Sequence, residues 1–335
     1  MLRAMKAGGG PGLGRGKFAL LLLPLSLLPL ACDSSGGSSS ESITLYTCVN
    51  DESIQPVISQ FEAENSGSEV ELFRAPTGDL NARVAGDVRS GGLKADVVWA
   101  CDPLTMQGYV DQELVGEWTP DSASDIPDQF RTDDYVGAAV LYMVAAYHDG
   151  VPPPSSWSDL TEPDYDPVAV ADPNVAASAL GALGWFSQAP DYGLDFYATL
   201  KEHGAEQLGT PDEVTTGVAQ GLYQAGITIA NSAYLAKDSG SPIGVVWPEP
   251  GAVAIYGPIA LAKDSADSTL AKDFVSYVVS EPGQQVLAKA GSYPTLPGVE
   301  GPELPADAPV VYPDWSKITA DRDALLSDYQ KIFGG

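Results

Sequence analysis

The feature that most constrains the fold is an alternation of short strands and amphipathic helices near the start of the chain. Residues 43–47 and 69–73 have the pattern of strands, and residues 95–100 (ADVVWA) form a continuous apolar strand of the kind buried on both faces. Between these strands, apolar residues recur at helical spacing. This order predicts parallel strands joined by right-handed crossovers. Because a similar alternation returns after residue 168, the sequence predicts an α/β protein.

Length and charge narrow the function classes. The 335 residues predict two domains, at roughly 100–200 residues per domain. Lys and Arg number 17 against 45 Asp and Glu, which gives a net charge of −28. This charge argues against nucleic-acid binding, which depends on contacts from Lys and Arg to phosphates. Two His and three Cys are too few for a zinc array or a disulfide-dense scaffold, so we predict no metal site and no cofactor.

The N-terminus has the pattern of a targeting segment. Residues 1–31 contain four bases and no acid, and residues 18–30 are an apolar run. This run is shorter than the ~20 residues of a spanning helix, but it suits the core of a signal peptide. Cys32 follows Ala31 and begins a Ser/Gly-rich tether over residues 32–42. The arrangement resembles the lipobox of bacterial lipoproteins, in which Cys32 would be acylated. The alternative is ordinary secretion, with cleavage at a nearby small residue.

Four stretches, taken in order, resemble one protein family. Residues 43–72, 95–103 (ADVVWACDP), 244–291 (with AKDFVSYVVSEPGQ) and 292–304 are similar to segments of the extracellular solute-binding proteins of ABC importers. The most similar branch holds ferric-iron, 2-aminoethylphosphonate, thiamine and phosphosugar binders. The resemblance implies an α/β, two-lobed periplasmic-binding-protein fold of the type II-like class. Each lobe would be a doubly wound, mainly parallel sheet, with the ligand cleft between the lobes. The implied lobes are residues 43–140 with 255–291, and residues 141–254 with 292–335.

The implied function is that of a substrate-binding lipoprotein. Such a protein is exported, lipid-anchored to the cell membrane on its periplasmic or extracellular side, and monomeric. It captures a small molecule and delivers it to an ABC permease and ATPase complex. The favoured ligand is a zwitterionic or anionic organic molecule such as an aminophosphonate. The alternatives are a ferric-iron receptor of the same fold and a sensor or adhesion lipoprotein without a transport role. Catalysis is not expected, because the sequence has no nucleophile elbow, phosphate loop or metal-spaced His pair.

Candidate ligand contacts follow from the expected topology. Ligands of open parallel sheets lie beyond the carboxyl ends of the strands, where helix N-termini present free N–H groups. Thr77 and Gly78 begin a helix at such a place and favour an anion. Glu249, in the sequence WPEPG, is the candidate partner of a ligand ammonium. The predicted contacts are Asn50, Thr77, Gly78, Asp102, Asn174, Ser178, Asn231, Tyr234, Trp247 and Glu249.

Several of these residues also have purely structural interpretations. Thr77 would serve equally as a plain helix cap, and Glu249 as a solvated carboxylate in a very acidic chain. Asp102 is a second candidate for a cation, and Trp247 and Tyr234 would contact a cation through their ring faces. Ala176 and its neighbour Ala177 stand where relatives often carry Ser, Thr or Gly, which weakens the expected oxyanion site.

The ferric-iron alternative is tested by one segment. Ferric-binding relatives carry adjacent tyrosines after the strand that corresponds to residues 226–230. Here the segment reads ANSAY, so Tyr234 has no adjacent tyrosine. Asn50 also stands where some of these relatives have His. These departures favour a small organic ligand over iron.

The remaining two cysteines predict a disulfide. Cys48 ends the first strand and Cys101 ends the third. With strand order 2-1-3 these strands are neighbours, about 4.8 Å apart, and a disulfide needs Cα atoms about 4.4–6.8 Å apart. An oxidising exported compartment would preserve such a bond. We therefore predict a Cys48–Cys101 disulfide at the cleft floor. The alternatives are two free thiols and a pair of ligands for a soft metal.

Overall fold

The computed structural model of the chain describes residues 41–302 and 304–334. The predicted signal peptide and the predicted acylation at Cys32 lie outside the described residues. The predicted tether lies outside them as well, except for Glu41 and Ser42, which begin the first strand.

The described chain alternates strands and helices. The strands are β1 (Glu41–Thr47), β2 (Ser68–Arg74), β3 (Val97–Trp99), β4 (Val136–His148), β5 (Val168–Ala171), β6 (Glu206–Leu208), β7 (Ala225–Ile229), β8 (Ile243–Val246), β9 (Ala252–Leu261), β10 (Tyr293–Pro294) and β11 (Val310–Val311). The α-helices are α1 (Asp51–Glu64), α2 (Thr77–Arg89), α3 (Pro103–Asp111), α4 (Ala177–Gln188), α5 (Asp195–Glu202), α6 (Pro211–Ala219), α7 (Ala230–Asp238), α8 (Thr269–Val278), α9 (Glu281–Lys289) and α10 (Trp315–Phe333).

Two parallel groups of strands are joined by a long antiparallel pair. The strand order is β2-β1-β3-β9-β4-β7-β5-β6, with β8 and β10 also paired to β4 and β11 to β9. The pairs β1–β2, β1–β3, β5–β6 and β5–β7 are parallel, as their helical crossovers require. The long strands β4 and β9 pair antiparallel and connect the two groups. The order β2-β1-β3 is the one on which the disulfide prediction rests.

Each parallel group has its own apolar core. In the first, Phe61 of α1 meets Phe274 of α8 edge to face, with ring centroids 5.1 Å apart. In the second, Phe186 of α4 stacks on Phe196 of α5 at 4.5 Å. Tyr329 of α10 is fully buried in that second core. The second group also holds a smaller apolar cluster around Val214 and Val218 of α6. The two groups with their cores form two lobes, and β4 and β9 contribute residues to the larger core of each.

Local chemistry sets several helix boundaries. Helix α5 begins only at Asp195, because Gly193 adopts a left-handed φ of 63°. Helix α6 begins at Pro211, because Thr210 and Glu213 form a capping box. Residues 231–234 lie in the first turns of α7. Among the described helices, none is both long enough and apolar enough to cross a membrane.

Candidate functional site

The carboxyl ends of β1, β2 and β7 open into one cleft between the lobes. The N-termini of α1, α2, α4, α6 and α7 also line this cleft. We call it the inner cleft. Its cavity volume is about 110 Å³, below the roughly 300–1,000 Å³ of sites that enclose drug-sized ligands, so it holds a small solute or one end of a larger solute.

A disulfide crosses the floor of the inner cleft. Cys48 and Cys101 are bonded, with Cα atoms 5.9 Å apart, and both line the cleft. Beside them the hydroxyl of Thr47 donates to the Trp99 carbonyl at 2.9 Å. The predicted bond is confirmed, and its cause is the predicted one, since Thr47 and Trp99 are paired across β1 and β3.

Three helices that begin at the cleft have no side-chain cap. The residues before the first turns of α2, α4 and α7 are Pro76, Ala176 and Ile229, none of which accepts a hydrogen bond through its side chain. In contrast, Asn50 caps α1 and Thr210 caps α6. First-turn N–H groups have no partner within their own helix, and the helix dipole places positive potential there. The open helix ends therefore favour an anion in the inner cleft.

Polar side chains missed by the sequence analysis complete the inner cleft. Arg74, the last residue of β2, places a guanidinium there and donates from Nε to the Val49 carbonyl at 3.2 Å. The hydroxyls of Ser53 and Ser292 lie 3.1 Å apart and join α1 to the segment before β10. Arg74 was visible as a base at the carboxyl end of a strand in a chain poor in bases. Nothing local in the sequence indicated that Ser53 and Ser292 meet.

A backbone hydrogen bond joins the lobes across the cleft. The Gly78 N–H donates to the Val175 carbonyl at 3.2 Å. A Cβ at Gly78 would lie 3.1 Å from the Asn174 carbonyl, closer than an ordinary van der Waals contact. Glycine therefore allows the N-terminus of α2 to approach the loop before α4.

The structure brings four of the predicted contacts together. Asn50, Thr77, Ser178 and Asn231 all line the inner cleft. Asn174 is exposed beside the inner cleft, and its side-chain amide donates a hydrogen bond to Asp172 Oδ1 at 2.9 Å.

Asp102 lies behind the cleft floor and does not line the inner cleft. Its carboxylate is fully buried and caps α3, with Oδ1 accepting from the Thr105 N–H at 2.9 Å. Oδ2 has no hydrogen-bond partner among the described residues. Burial raises the pKa of Asp102, because desolvation opposes the charged form and outweighs the cap hydrogen bonds from Thr105.

Trp247 and Tyr234 are joined to each other near the cleft. The Trp247 indole N–H donates to the Tyr234 phenol oxygen at 3.0 Å. Trp247 is buried against Tyr142, with ring centroids 4.8 Å apart, so its main contacts are with the core. Tyr234 lines a second cavity that adjoins the inner cleft.

Glu249 is exposed and does not line the inner cleft. Backbone hydrogen bonds hold the Glu249 loop against residues 155–157. The Glu249 N–H donates to the Ser155 carbonyl at 2.9 Å, and its carbonyl accepts from the Trp157 N–H at 3.2 Å. The geometry therefore does not support a ligand contact from this side chain, and its role stays a prediction.

Within residues 41–302 and 304–334, no group of three or more His, Cys, Asp or Glu side chains is placed to hold a metal ion. The two Cys of the cleft floor are bonded to each other.

Comparison with known sequences identifies a family. The family profile described as "Bacterial extracellular solute-binding protein" matches residues 43–292. Among curated proteins, the chain is similar to the spermidine/putrescine-binding periplasmic protein of Salmonella typhimurium. The two are 24% identical over 201 residues, which cover 54% of this chain and 57% of that protein. Matches to the curated relatives cover 39–57% of their lengths, so the chain spans about half the length of the curated relatives it matches.

Comparison with solved structures identifies the fold. The periplasmic binding protein AfuA from Actinobacillus pleuropneumoniae, solved with exogenous fructose-6-phosphate bound, superposes with a TM-score of 0.79. It is 19% identical, and the match covers 88% of this chain and 99% of that one. Apo ferric ion-binding protein A from Pasteurella haemolytica gives a TM-score of 0.73 at 18% identity, over 87% and 98% of the two chains. The predicted two-lobed, type II-like periplasmic-binding-protein fold is confirmed.

Proposed function

Because this chain belongs to the bacterial extracellular solute-binding proteins, we propose that it is the receptor of an ABC importer for a small organic solute carrying an oxyanion. A member of this family binds its solute and is not an enzyme. The ligand class is our inference from the inner cleft. Phosphate, phosphonate and carboxylate groups share the chemistry that such a cleft would bind.

One observation carries the proposal. Three helices, α2, α4 and α7, point uncapped N-termini into the same cleft. The first turns of α4 and α7 have no side-chain cap, so their N–H groups are hydrogen-bond donors for a ligand, and the helix dipoles add to the attraction for negative charge. At α2 the Gly78 N–H already donates to the Val175 carbonyl, so this helix contributes its dipole and its remaining first-turn N–H groups. Arg74 adds a full positive charge from the lobe that carries α2, facing α4 and α7, in a chain with a net charge of −28.

The ligands named for similar proteins support an oxyanion ligand only in part. The AfuA structure carries a sugar phosphate, and a second curated relative is named a phosphoglycerate transport regulatory protein. The polyamine-binding relative and the ferric-binding structure are named for cations. Ferric-binding relatives carry adjacent tyrosines where this chain reads ANSAY, which argues against iron as the ligand. An aminophosphonate satisfies the anionic requirement and remains the favoured example.

The ligand class is tested by thermal unfolding of the purified mature protein with six probes. These are inorganic phosphate, fructose 6-phosphate, 2-aminoethylphosphonate, putrescine, spermidine and Fe(III). A probe at 100 times its dissociation constant adds about 2.7 kcal/mol to the free energy of unfolding. We expect at least one phosphate or phosphonate to stabilise the protein. Stabilisation by Fe(III) or a polyamine alone would contradict the proposal.

A matched pair of variants tests the site. Arg74→Gln removes the positive charge in the inner cleft, and we expect it to lower the affinity for the active probe by about tenfold or more. Arg89→Gln removes an exposed charge from the last turn of α2, outside the cleft. Its affinity should equal that of the unmodified protein. Equal losses in the two variants would assign the effect to net charge rather than to the cleft.

The importer role includes a membrane anchor and a permease. We propose that Cys32 is acylated and that the lobes have the boundaries expected above, 43–140 with 255–291 and 141–254 with 292–335. A Cys32→Ser protein should move from the membrane fraction to the soluble exported fraction. If it still fractionates with membranes, the anchor lies elsewhere. A sensor or adhesion lipoprotein is the alternative, and uptake of labelled solute by cells with and without this protein separates the two roles.

A further inference from the structure

A second cavity continues the inner cleft toward solvent. It shares Asn50, Asp212 and Asn231 with the inner cleft. Its other sides are α6, α7, the end of α9 and residues 304–306. We call it the outer recess. Its cavity volume is about 980 Å³, so a solute seated in the inner cleft has room to extend into it.

The outer recess has the opposite charge to the inner cleft. Its ionisable side chains are Glu52, Asp212, Asp238 and Lys289, three acids and one base, or −2 at neutral pH. The inner cleft has Arg74 and the shared Asp212, and it adds the positive ends of three helices. The two cavities therefore attract groups of opposite charge.

A buried phenol without a partner lies in the wall of the outer recess. Tyr293 lines the recess and is 5% exposed, and its hydroxyl has no hydrogen-bond partner among the described residues. Its ring packs edge to face on Tyr142, with centroids 4.8 Å apart, and lies 6.2 Å from Trp247. Burial raises the pKa of Tyr293, so the phenol stays neutral. An unpaired buried hydroxyl is costly, and a ligand N–H group would remove that cost.

We propose that the outer recess is a second subsite, which binds an ammonium group at the far end of the solute. The carboxylates of Glu52, Asp212 and Asp238 would provide the attraction. Tyr234 and Tyr293 line the recess with aromatic rings, whose faces attract cations, and the Tyr293 oxygen adds a hydrogen-bond acceptor. This proposal rests on the proposed function, because the inner cleft must hold the anionic end, and it narrows the substrate class to zwitterions with separated charges.

Two series of probes test the subsite by calorimetry on the mature protein. One is a set of unbranched ω-aminoalkyl phosphates with two to five carbons, and the other is the set of alkyl phosphates of the same lengths. We expect the amino compound of the best length to bind at least about tenfold more tightly than its alkyl counterpart. We expect Tyr293→Phe, and separately Glu52→Gln with Asp238→Asn, to reduce this ratio by about threefold or more.

Matched controls separate the subsite from general effects. Tyr277→Phe also removes a buried phenol hydroxyl without a partner, in α8 and away from the recess. Glu64→Gln removes a carboxylate from the other end of α1. Both should keep the ratio of the unmodified protein. A drop in these controls equal to that in the recess variants would overturn the subsite.

The outcomes distinguish the two proposals. If alkyl phosphates bind and the amino group brings no gain at any length, the subsite is wrong and the proposed function stands. If neither series binds, the proposed function is wrong, and putrescine alone then tests the recess. Putrescine binding that Tyr293→Phe weakens and Tyr277→Phe does not would support an ammonium site. Absence of putrescine binding would overturn it.

Discussion

The two walls of the inner cleft satisfy their polar groups in different ways. On the wall formed by β1, β3 and α1, Asn50 caps its own helix and Cys48 is bonded to Cys101. On the wall formed by α4 and α7, Ala176 and Ile229 stand where capping residues are usual. We call these the tied wall and the open wall.

The difference separates stability from binding. The tied wall forms its bonds within the protein, so its position does not depend on a ligand. The open wall leaves donors whose only remaining partners are water and the solute. An alanine at a cap position costs about 0.5–2 kcal/mol relative to Ser, Thr, Asn or Asp. The missing caps leave these donors free for a ligand at the expense of helix stability.

The largest effect is expected on the tied wall. Replacing both Cys48 and Cys101 with Ser opens a loop that joins residues 53 positions apart. The chain-entropy estimate gives a loss of up to about 4 kcal/mol in the free energy of unfolding. Urea unfolding of the variant and of the unmodified protein measures this loss, and reduction of the unmodified protein should reproduce it. A loss below about 1 kcal/mol would show that the tied wall is held by its other contacts.

The next effect is smaller and is a gain in stability. It is expected when the charge of Asp102, which caps α3 behind the tied wall, is removed. Its raised pKa means that the folded protein binds this proton more tightly than the unfolded chain does. The stability contributed by protonated Asp102 is complete below the pKa of the unfolded carboxyl, about 3.9, and is lost as the pH rises through the folded pKa. Asn keeps the cap and removes the buried charge. Asp102→Asn should therefore raise the free energy of unfolding at neutral pH, and should raise it much less near pH 3.

The measurement is denaturant unfolding at both pH values. Asp102→Ala is the control, because it removes the charge and also the hydrogen bond to the Thr105 N–H. That loss should offset part of the gain by about 0.5–2 kcal/mol. A gain for Asp102→Asn that is the same at both pH values would rule out the buried charge as its cause.

The open wall is tested by giving it the cap that it lacks. Ala176→Asp and Ala176→Asn should each raise the free energy of unfolding by about 1 kcal/mol, because either side chain can accept from the first turn of α4. The Asp variant should also lower the affinity for a bound phosphate by at least tenfold, since a carboxylate would occupy the anion position and repel the ligand. The Asn variant should lose less phosphate affinity than the Asp variant. Thermal unfolding and calorimetry with the active phosphate measure both effects.

An unchanged phosphate affinity in Ala176→Asp would place the anion elsewhere. The neutral Asn variant is the matched control for size and hydrogen bonding. Equal affinity losses in the two variants would assign the effect to steric blocking of the open wall rather than to charge.

The sequence predicted the tied wall better than the open wall, for physical reasons. The period of two in β1 and the apolar run of β3 place Cys48 and Cys101 on neighbouring parallel strands, so local patterns were enough to predict the bond. The open wall depends on which helix ends meet, and this requires the long antiparallel pair of β4 and β9. That pairing joins distant parts of the chain and has no local signal.

The same distinction explains the individual residues. Thr77 and Ser178 lie in the first turns of helices that follow strands, and both were predicted as contacts and line the cleft. The Ser53–Ser292 pair spans 239 positions and was not predicted. The two alanines before and within α4 suggested a weak oxyanion site from side chains alone. The structure shows that the backbone at this helix end is open, which residue identity does not reveal directly.

The smallest effect is expected at Glu249, where sequence and geometry lead to opposite expectations. The sequence alone predicts that Glu249→Gln weakens the binding of a ligand ammonium by roughly 1.5–3 kcal/mol, the scale of a charged hydrogen bond. The structure places this side chain at an exposed position outside both the inner cleft and the outer recess, on a loop held through its backbone to Ser155 and Trp157.

The geometry therefore predicts that Glu249→Gln changes the affinity for the best ω-aminoalkyl phosphate by less than about twofold, because an exposed carboxylate outside the site is screened by solvent and salt. Calorimetry on this variant beside Glu52→Gln provides the comparison, since both remove one exposed carboxylate and only Glu52 lines the recess. A loss at Glu52 with none at Glu249 would place the ammonium in the outer recess. A loss of tenfold or more at Glu249 alone would mean that the solute extends toward the WPEPG loop instead, and would restore the sequence-based assignment.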